Sequence, residues 1–274
     1  MYRKTISAIA VAIVSIACAS ELAQAQETIH LKVLSMNIKE GGKMAGYRTS
    51  AFADVIKQYD PDVVAMQEVH DRTFFVGGRA WTTELAEAAG MYPLYCKSFD
   101  YSGGGFGVAV MTKYPFFASE YIVSPMSTYP SENVKPGRKP EDRSTGWVYM
   151  ALPDGNVVRV GSTHLSVEND IIIKNMFDVN KKIFAEDTVT PTLLIGDYNA
   201  VPGSDQIVYF LRKWQDVSEE IGPTIPSDKP KQKLDYIMGY PKGGWKLEKY
   251  EIIAREDLSD HCFIYAEVSY SPVK

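Results

Sequence analysis

Thr192-Leu193-Leu194-Ile195-Gly196-Asp197-Tyr198-Asn199-Ala200-Val201-Pro202-Gly203-Ser204 is an apolar run that stops at a carboxylate, presents an amide two residues later and then turns on Pro and Gly. Residues two apart on an extended chain point the same way, so a buried strand here delivers Asp197 and Asn199 together at its carboxyl end. Asp and Asn after a strand are also ordinary turn formers. The stretch gains its meaning from recurrence: an apolar strand with a polar end returns several times along the chain.

Upstream, an apolar strand from residue 29 ends at Asn37 and leads into Lys39-Glu40-Gly41-Gly42. Residues 47–59 carry Phe52, Val55, Ile56 and Tyr59 at helical spacing, which predicts an amphipathic helix. Asp60-Pro61-Asp62 stops it, because a residue before Pro avoids the helical region. Residues 63–68 form a second apolar run that ends in Gln67-Glu68, and 81–90 read as a second helix with Gly90 as its stop. Gly103-Gly104-Gly105 reads as a turn feeding a packed strand over 106–111, since neither a GxxxxGK[ST] pattern nor a helix follows.

Residues 124–146 break the rhythm as a long loop whose Lys135, Arg138, Lys139 and Arg143 make a local positive cluster. A hairpin of 147–152 and 157–162 turns on Pro153-Asp154-Gly155-Asn156, and its second strand runs to Thr163-His164-Leu165. Residues 169–186 predict a helix with Ile172, Ile173, Met176, Val179 and Ile183 on one side, which returns the chain to the opening stretch. Beyond it come a short helix over 204–211, a polar connection over 223–233, Leu234-Asp235-Tyr236-Ile237-Met238, and Leu258-Ser259-Asp260-His261 before a last strand over 262–268. Helices interleaved with strands imply a layered α/β (α+β) architecture. With no linker or composition shift, 26–274 reads as a single domain.

Arg3 and Lys4 precede an apolar run to residue 19, and Ala23-Gln24-Ala25 supplies a small-x-small cleavage pattern, so residues 1–25 read as a signal peptide. The run is too short to span a membrane comfortably. The expectation is export to the periplasm or beyond. Lipid attachment at Cys18 is less favoured, because Ser15 stands where an apolar residue belongs. Cleavage removes Arg3, Lys4 and Glu21 and moves the formal net charge from −5 to −6. A net-acidic chain lacks the field that draws polyanions, so nucleic acid is a disfavoured partner. Cys96 and Cys262 are too few for a disulfide scaffold and read as buried free thiols. Oligomeric state leaves no mark on the sequence.

Asn37, Glu68, His164, Asp197, Asn199, Asp235, Asp260 and His261 all fall at or beside the ends of expected strands, and two of the four histidines are among them. Such a set suits phosphate-ester hydrolysis. A hard cation such as Mg²⁺, with Mn²⁺ as its substitute, takes oxygen ligands and polarises phosphoryl oxygens. Histidine fixed by a carboxylate moves protons near neutral pH, and an Asn amide donates to developing charge. Zinc chemistry is disfavoured by the absence of HExxH and of a Cys/His cluster, and a serine hydrolase by the absence of GxSxG.

Asn37 after its strand, Gln67-Glu68, Thr163-His164-Leu165, Gly196-Asp197-Tyr198-Asn199, Leu234-Asp235-Tyr236-Ile237 and Ser259-Asp260-His261 together resemble the ordered signatures of the endonuclease/exonuclease/phosphatase superfamily, over 31–268. The resemblance implies a DNase-I-like, four-layer α/β/β/α sandwich: two packed mixed β-sheets flanked by helices. It implies Glu68 as principal Mg²⁺ ligand with Asn37 and Asp260 nearby, and His261 paired with Asp235 as general base. It gives Asp197 the task of orienting the water, or of activating it in place of His261. Asn199 and His164 would contact the scissile phosphate, with Glu141 or Asp142 orienting His164. Residues 224–230 resemble a bacterial subgroup of metal-dependent hydrolases. The function expected is an exported Mg²⁺-dependent phosphoesterase, a phosphodiesterase in preference to a monoesterase, acting on a small organic or lipid-headgroup phosphate ester. The alternatives are a secreted nuclease and a non-catalytic binding protein on the same fold. Lipid hydrolysis would call for exposed aromatics, for which Phe74-Phe75 and residues 121–129 are the candidates, although core packing is their more ordinary use.

Overall fold

The computed structural model describes residues 28–125 and 141–272. Residues 1–25, the expected signal peptide with Cys18, and Lys135, Arg138, Lys139 and Tyr129 lie outside the described residues.

Alternation along the strands decides the layering. In β1 (Ile29–Asn37), Ile29, Leu31 and Val33 face one way and Leu34 and Met36 the other, and every one of them is buried. A strand apolar on both faces must be covered on both. The first set packs with Val148, Val160, Leu193 and Ile195 of the opposite sheet, and the second with Phe52 and Trp81 of the helices. Likewise Leu193 and Ile195 of β8 (Thr192–Asp197) point between the sheets while Leu194 points to the outer helices.

Two six-stranded mixed sheets result. The first has the order β11-β12-β1-β2-β4-β3, with β2 (Val63–Asp71), β3 (Tyr92–Tyr101), β4 (Gly104–Thr112), β11 (Trp245–Ile253) and β12 (Phe263–Tyr270). The second has the order β5-β6-β7-β8-β10-β9, with β5 (Phe116–Ser124), β6 (Arg143–Ala151), β7 (Val157–His164), β9 (Gln215–Asp216) and β10 (Asp235–Tyr240). On the outer face of the first sheet lie α1 (Thr49–Tyr59) and α2 (Trp81–Ala89), and on that of the second α3 (Asn169–Glu186) and α4 (Asp205–Phe210). This is the α/β/β/α sandwich expected from the sequence.

Each sheet has one parallel pair at its centre, β1/β2 and β7/β8, and α1 and α3 make the two crossovers. Asn37 is opposite Gln67 and His164 is opposite Asp197 in these registers. The carboxyl ends of both pairs therefore open on the same rim, where ligands of parallel sheets commonly bind.

The helix readings hold to within two residues. Asp60 ends α1 with φ 43°, Gly90 ends α2 with φ 70°, and the Ser204 hydroxyl accepts from the Ile207 amide to cap α4. The buried face of α3 uses Ile171 where Ile173 was expected, which leaves Ile173 half-buried. Strands β3, β5, β9 and β11 were not read from the sequence; the edge strands β5 and β11 are largely exposed, and the apolar residues of β5 are split by Ser119-Glu120. Both cysteines are buried and free, and burial pushes the Cys96 thiol upward.

Candidate active site

Glu68 does not end its strand. β2 continues to Asp71 through a bulge between Met66 and Val69, at which Glu68 adopts φ 59°. A bulge re-aims side chains, and here it separates two neighbours. Gln67 turns inward, fully buried, and its Nε2 donates to Ser162 Oγ of the opposite sheet at 3.0 Å. Glu68 turns to the rim, where Oε2 accepts from the Glu40 amide at 2.8 Å and Oε1 from Asn37 Nδ2 at 3.4 Å.

Asn37 links the two halves of the site. The same Nδ2 donates to Asp197 Oδ2 at 3.0 Å, and Oδ1 accepts from the Lys39 amide at 3.1 Å. Its backbone carbonyl accepts from Ser259 Oγ at 2.6 Å, and that hydroxyl accepts from the His261 amide, which pins the Ser-Asp-His turn to the end of β1.

Asp235, first residue of β10, lies directly opposite Asp197. Its Oδ2 accepts from Thr224 Oγ1 at 2.5 Å and from His261 Nδ1 at 2.9 Å. His261 then directs Nε2 toward Asp197 Oδ2, 3.7 Å away. Burial opposes charge on His261, but the charge and hydrogen bond of Asp235, and then Asp197 and Asp260, outweigh it and raise its pKa from 6.5 to about 10. Burial, and next the Asp235 charge, raise Asp197.

His164 behaves oppositely. Burial first, then the Arg143 and His261 charges, hold it well below its usual value, so it is neutral. Arg143 Nη1 lies 3.4 Å from His164 Nδ1. A guanidinium can only donate, so Nδ1 accepts and the ring proton sits on Nε2, 3.6 Å from Asp197 Oδ2. Glu141 in turn holds Arg143, Oε2 to Nη2 at 3.2 Å. The expected carboxylate near His164 thus acts through an arginine.

Asn199, at φ 49°, lines the cleft; it donates from Nδ2 to Leu165 O at 3.0 Å and from its backbone N–H to Asp197 Oδ1 at 2.8 Å. Across the rim Asp260 Oδ2 meets Lys39 Nζ at 3.0 Å, while Asp260 Oδ1 is buried with no partner among the described residues. Burial opposes the Lys39 charge, and Glu68 with Asp260 more than offsets it, so its pKa is raised. These groups share a cleft of ≈ 400 Å³ with Glu68, Arg143, His164, Asp197, Asn199 and His261 on its walls.

Two places could hold a cation. Oxygen and nitrogen atoms of Asp197, Asp235 and His261 lie within 4.8 Å of one another. In that group His261 Nδ1 and Asp235 Oδ2 are already bonded to each other, which suits a proton relay. On the Glu68 side the candidate ligand atoms are the carboxylate oxygens of Glu68 and Asp260, with Lys39 Nζ on Asp260 Oδ2, and Asp260 Oδ1 is a buried acceptor without a partner among the described residues. That donor chemistry fits a hard divalent ion.

All eight expected side chains therefore gather on one rim, Asn37 and Asp235 behind it and the rest at its surface. Three participants were not singled out from the sequence: Lys39, Thr224 and the particular place of Arg143. Lys39 follows the first motif by two residues, and Arg143, expected in the loop over 124–146, instead opens β6 and is buried; neither has a spacing that names its partner.

Two mixed sheets face to face, with buried acid and imidazole groups where their parallel strands end, define a phosphoesterase-type sandwich. The chain belongs to the endonuclease/exonuclease/phosphatase family, whose pattern it matches over residues 34–261. It is accordingly a hydrolase of phosphate ester bonds. Among solved structures it is similar to an endonuclease/exonuclease/phosphatase from Beutenbergia cavernae at 21% identity and TM-score 0.66, covering 88% of this chain and 72% of that one. It is similar to a Bacteroides thetaiotaomicron mannosyl-6-phosphatase at 17% identity and TM-score 0.67, covering 87% and 99%. The human Nocturnin catalytic domain is similar at 14% identity and TM-score 0.67, covering 91% and 100%. These likenesses concern the fold. No curated protein matches the sequence significantly.

Proposed function

We propose that the protein is an exported Mg²⁺-dependent phosphodiesterase that hydrolyses a small organic or lipid-headgroup phosphate ester by attack of water. The observation that carries this reading is the division of the cleft: the Glu68 and Asp260 carboxylates beside Lys39 on one side, and the Asp197–His261–Asp235 group on the other.

Glu68 and Asp260 would hold the ion, with Asn37 keeping the Glu68 carboxylate in place. When bound, Mg²⁺ supplies charge that polarises the phosphoryl oxygens. His164 donates from Nε2 to a phosphoryl oxygen, and Asn199 presents its remaining N–H beside it. Asp197, raised toward neutrality by burial and by Asp235, accepts the proton of the attacking water. His261, kept cationic by Asp235, faces that reaction with Nε2 and supports the charge that develops there. The signal-like leader supports export.

Hydrolysis of bis-p-nitrophenyl phosphate and p-nitrophenyl phosphate by the mature protein, with Mg²⁺, Mn²⁺ or EDTA, tests the reading beside Glu68→Ala. Diester cleavage that needs metal and disappears in the variant is expected. Cleavage of the monoester alone would replace the diesterase reading by a phosphatase, the activity by which one structural neighbour is named. Diester cleavage undiminished in EDTA would defeat the metal-dependent mechanism.

A further inference from the structure

The wall of the cleft beyond Glu68 is built differently from the rest. It consists of His70, Phe99, Tyr101 and Phe106, contributed by β2, β3 and β4. Phe99 stacks on Phe106 with centroids 5.1 Å apart, and the His70 ring meets Tyr101 edge-on at 5.2 Å and Phe106 at 5.6 Å. Phe75 stacks on the outer side of Tyr101 at 5.9 Å. Rings fixed on one another lose little freedom when a ligand arrives.

Core packing accounts for Phe106, 8% exposed, but not for Tyr101, which closes the wall at 41% exposure. Behind them His70 is 2% exposed, yet neither Nδ1 nor Nε2 has a partner among the described residues. A buried polar side chain in a native protein is normally hydrogen-bonded. Gly41 explains how the ring is kept at this position: a Cβ there would lie 2.5 Å from His70 Cγ, so only glycine lets the imidazole stand against the turn.

Resting on the phosphoesterase reading above, we propose that this aromatic wall is the subsite for the organic group of the substrate, and that this group is a ring with at least one flat, partly apolar face. The phosphate lies among Lys39, Arg143 and His164, and the ring lies along Tyr101 and Phe99, with the buried His70 imidazole packed behind them. The ≈ 400 Å³ cleft holds a phosphate and one ring, within the usual range of small-ligand sites. Continuity of the wall with the charged part of the cleft, and the unpartnered imidazole behind it, favour a ring attached to the phosphate over a membrane surface.

Aryl and sugar rings share the required face, and binding separates them. Dissociation constants of inorganic phosphate, ethyl phosphate, phenyl phosphate and glucose 6-phosphate are measured by calorimetry with Mg²⁺ present, for the wild type, Tyr101→Ala and Phe99→Ala. A ring ester that binds about tenfold tighter than ethyl phosphate is expected, the size of a stacking contact. In either variant the preference should fall below about threefold. Tight phenyl phosphate alone would identify an aryl group, and tight glucose 6-phosphate alone a sugar; each supports the subsite. Equal affinity of all three esters in the wild type would overturn it, as would a preference that survives both substitutions. Retention on phosphatidylcholine vesicles that is lost in Phe74→Ala, without any ring preference, would assign the aromatics to a lipid surface and refute the inference. Failure of all three esters to bind would defeat the reading of this cleft as the phosphoester site as well, so the two failures are distinguishable.

Discussion

Replacing Asp235 by Asn removes one charge from the relay and keeps its shape. The asparagine carbonyl can still accept from Thr224 Oγ1 and His261 Nδ1, the two donors now 2.5 and 2.9 Å from Asp235 Oδ2. What changes is the balance at His261. Burial lowers its pKa, Asp235 is the largest influence raising it, and the net position is about 10 against 6.5 for a free imidazole. That difference corresponds to about 5 kcal/mol in favour of the imidazolium, of which Asp235 supplies the major favourable part. Without it, burial should bring His261 back into the neutral range or below.

Two readouts follow. In EDTA, NMR titration should show wild-type His261 protonated up to about pH 9 and beyond, and the Asp235→Asn imidazole losing its proton below pH 8. A raised pKa stabilises the fold fully below 6.5 and ceases to do so as pH rises through about 10, so the fall of Tm across that window should flatten in the variant. Turnover of the diester should drop about 10²- to 10⁴-fold, the range of a displaced acid–base group. An unchanged His261 titration in a folded variant, or turnover within threefold of wild type, would refute the reasoning.

Other perturbations probe separate parts of the fold. His70 is pushed down from 6.5 to about 4 by burial, so its neutral form stabilises the protein above pH 6.5 and that contribution is lost as pH falls toward 4. It amounts to about 3 kcal/mol. His70→Phe should remove this part of the acid sensitivity in urea titrations at pH 7 and pH 4.5; an identical pH difference in wild type and variant would count against it. Gly196 in β8 has φ 149°, and a Cβ there would lie 2.0 Å from Thr163 O. Gly196→Ala should force β7 and β8 apart beside His164 and Asp197, lowering both Tm and turnover; wild-type values in both would show that the strands yield easily. Gln67→Leu should cost about 1–3 kcal/mol by leaving Ser162 Oγ without its donor between the sheets. A urea midpoint equal to that of wild type would mean that the sheets do not depend on that bond.

Much of the fold was legible because strands covered on both faces advertise themselves. Val33, Leu34, Val63, Val64, Leu193 and Leu194 form continuous apolar runs, and the helices between them carry the 3.6-residue period. Edge strands β5 and β11 escaped because they face water and polar residues interrupt their apolar ones. The catalytic rim was legible as a recurrence of polar strand ends, but its wiring was not. Nothing in the order of residues says that Lys39 would reach Asp260, that Thr224 would share Asp235 with His261, or that Arg143 would stand between Glu141 and His164. Those partners are brought together by strand pairing within a sheet, as for Arg143 and His164 or Lys39 and Asp260, and by the packing of the two sheets, as for Asp235 and His261. The bulge at Glu68 was hidden for a related reason: left-handed backbone at a non-glycine residue leaves no compositional mark.

The most direct test of the central claim is where a divalent ion binds. Calorimetric titration of Mn²⁺ into the wild type, Glu68→Ala, Asp260→Ala and Asp235→Asn should show binding abolished or weakened at least tenfold by the first two substitutions and largely retained in the third. Binding that survives Glu68→Ala and Asp260→Ala but disappears in Asp235→Asn would contradict the account, because the ion would then belong to the Asp197, Asp235 and His261 group that is assigned here to the movement of protons.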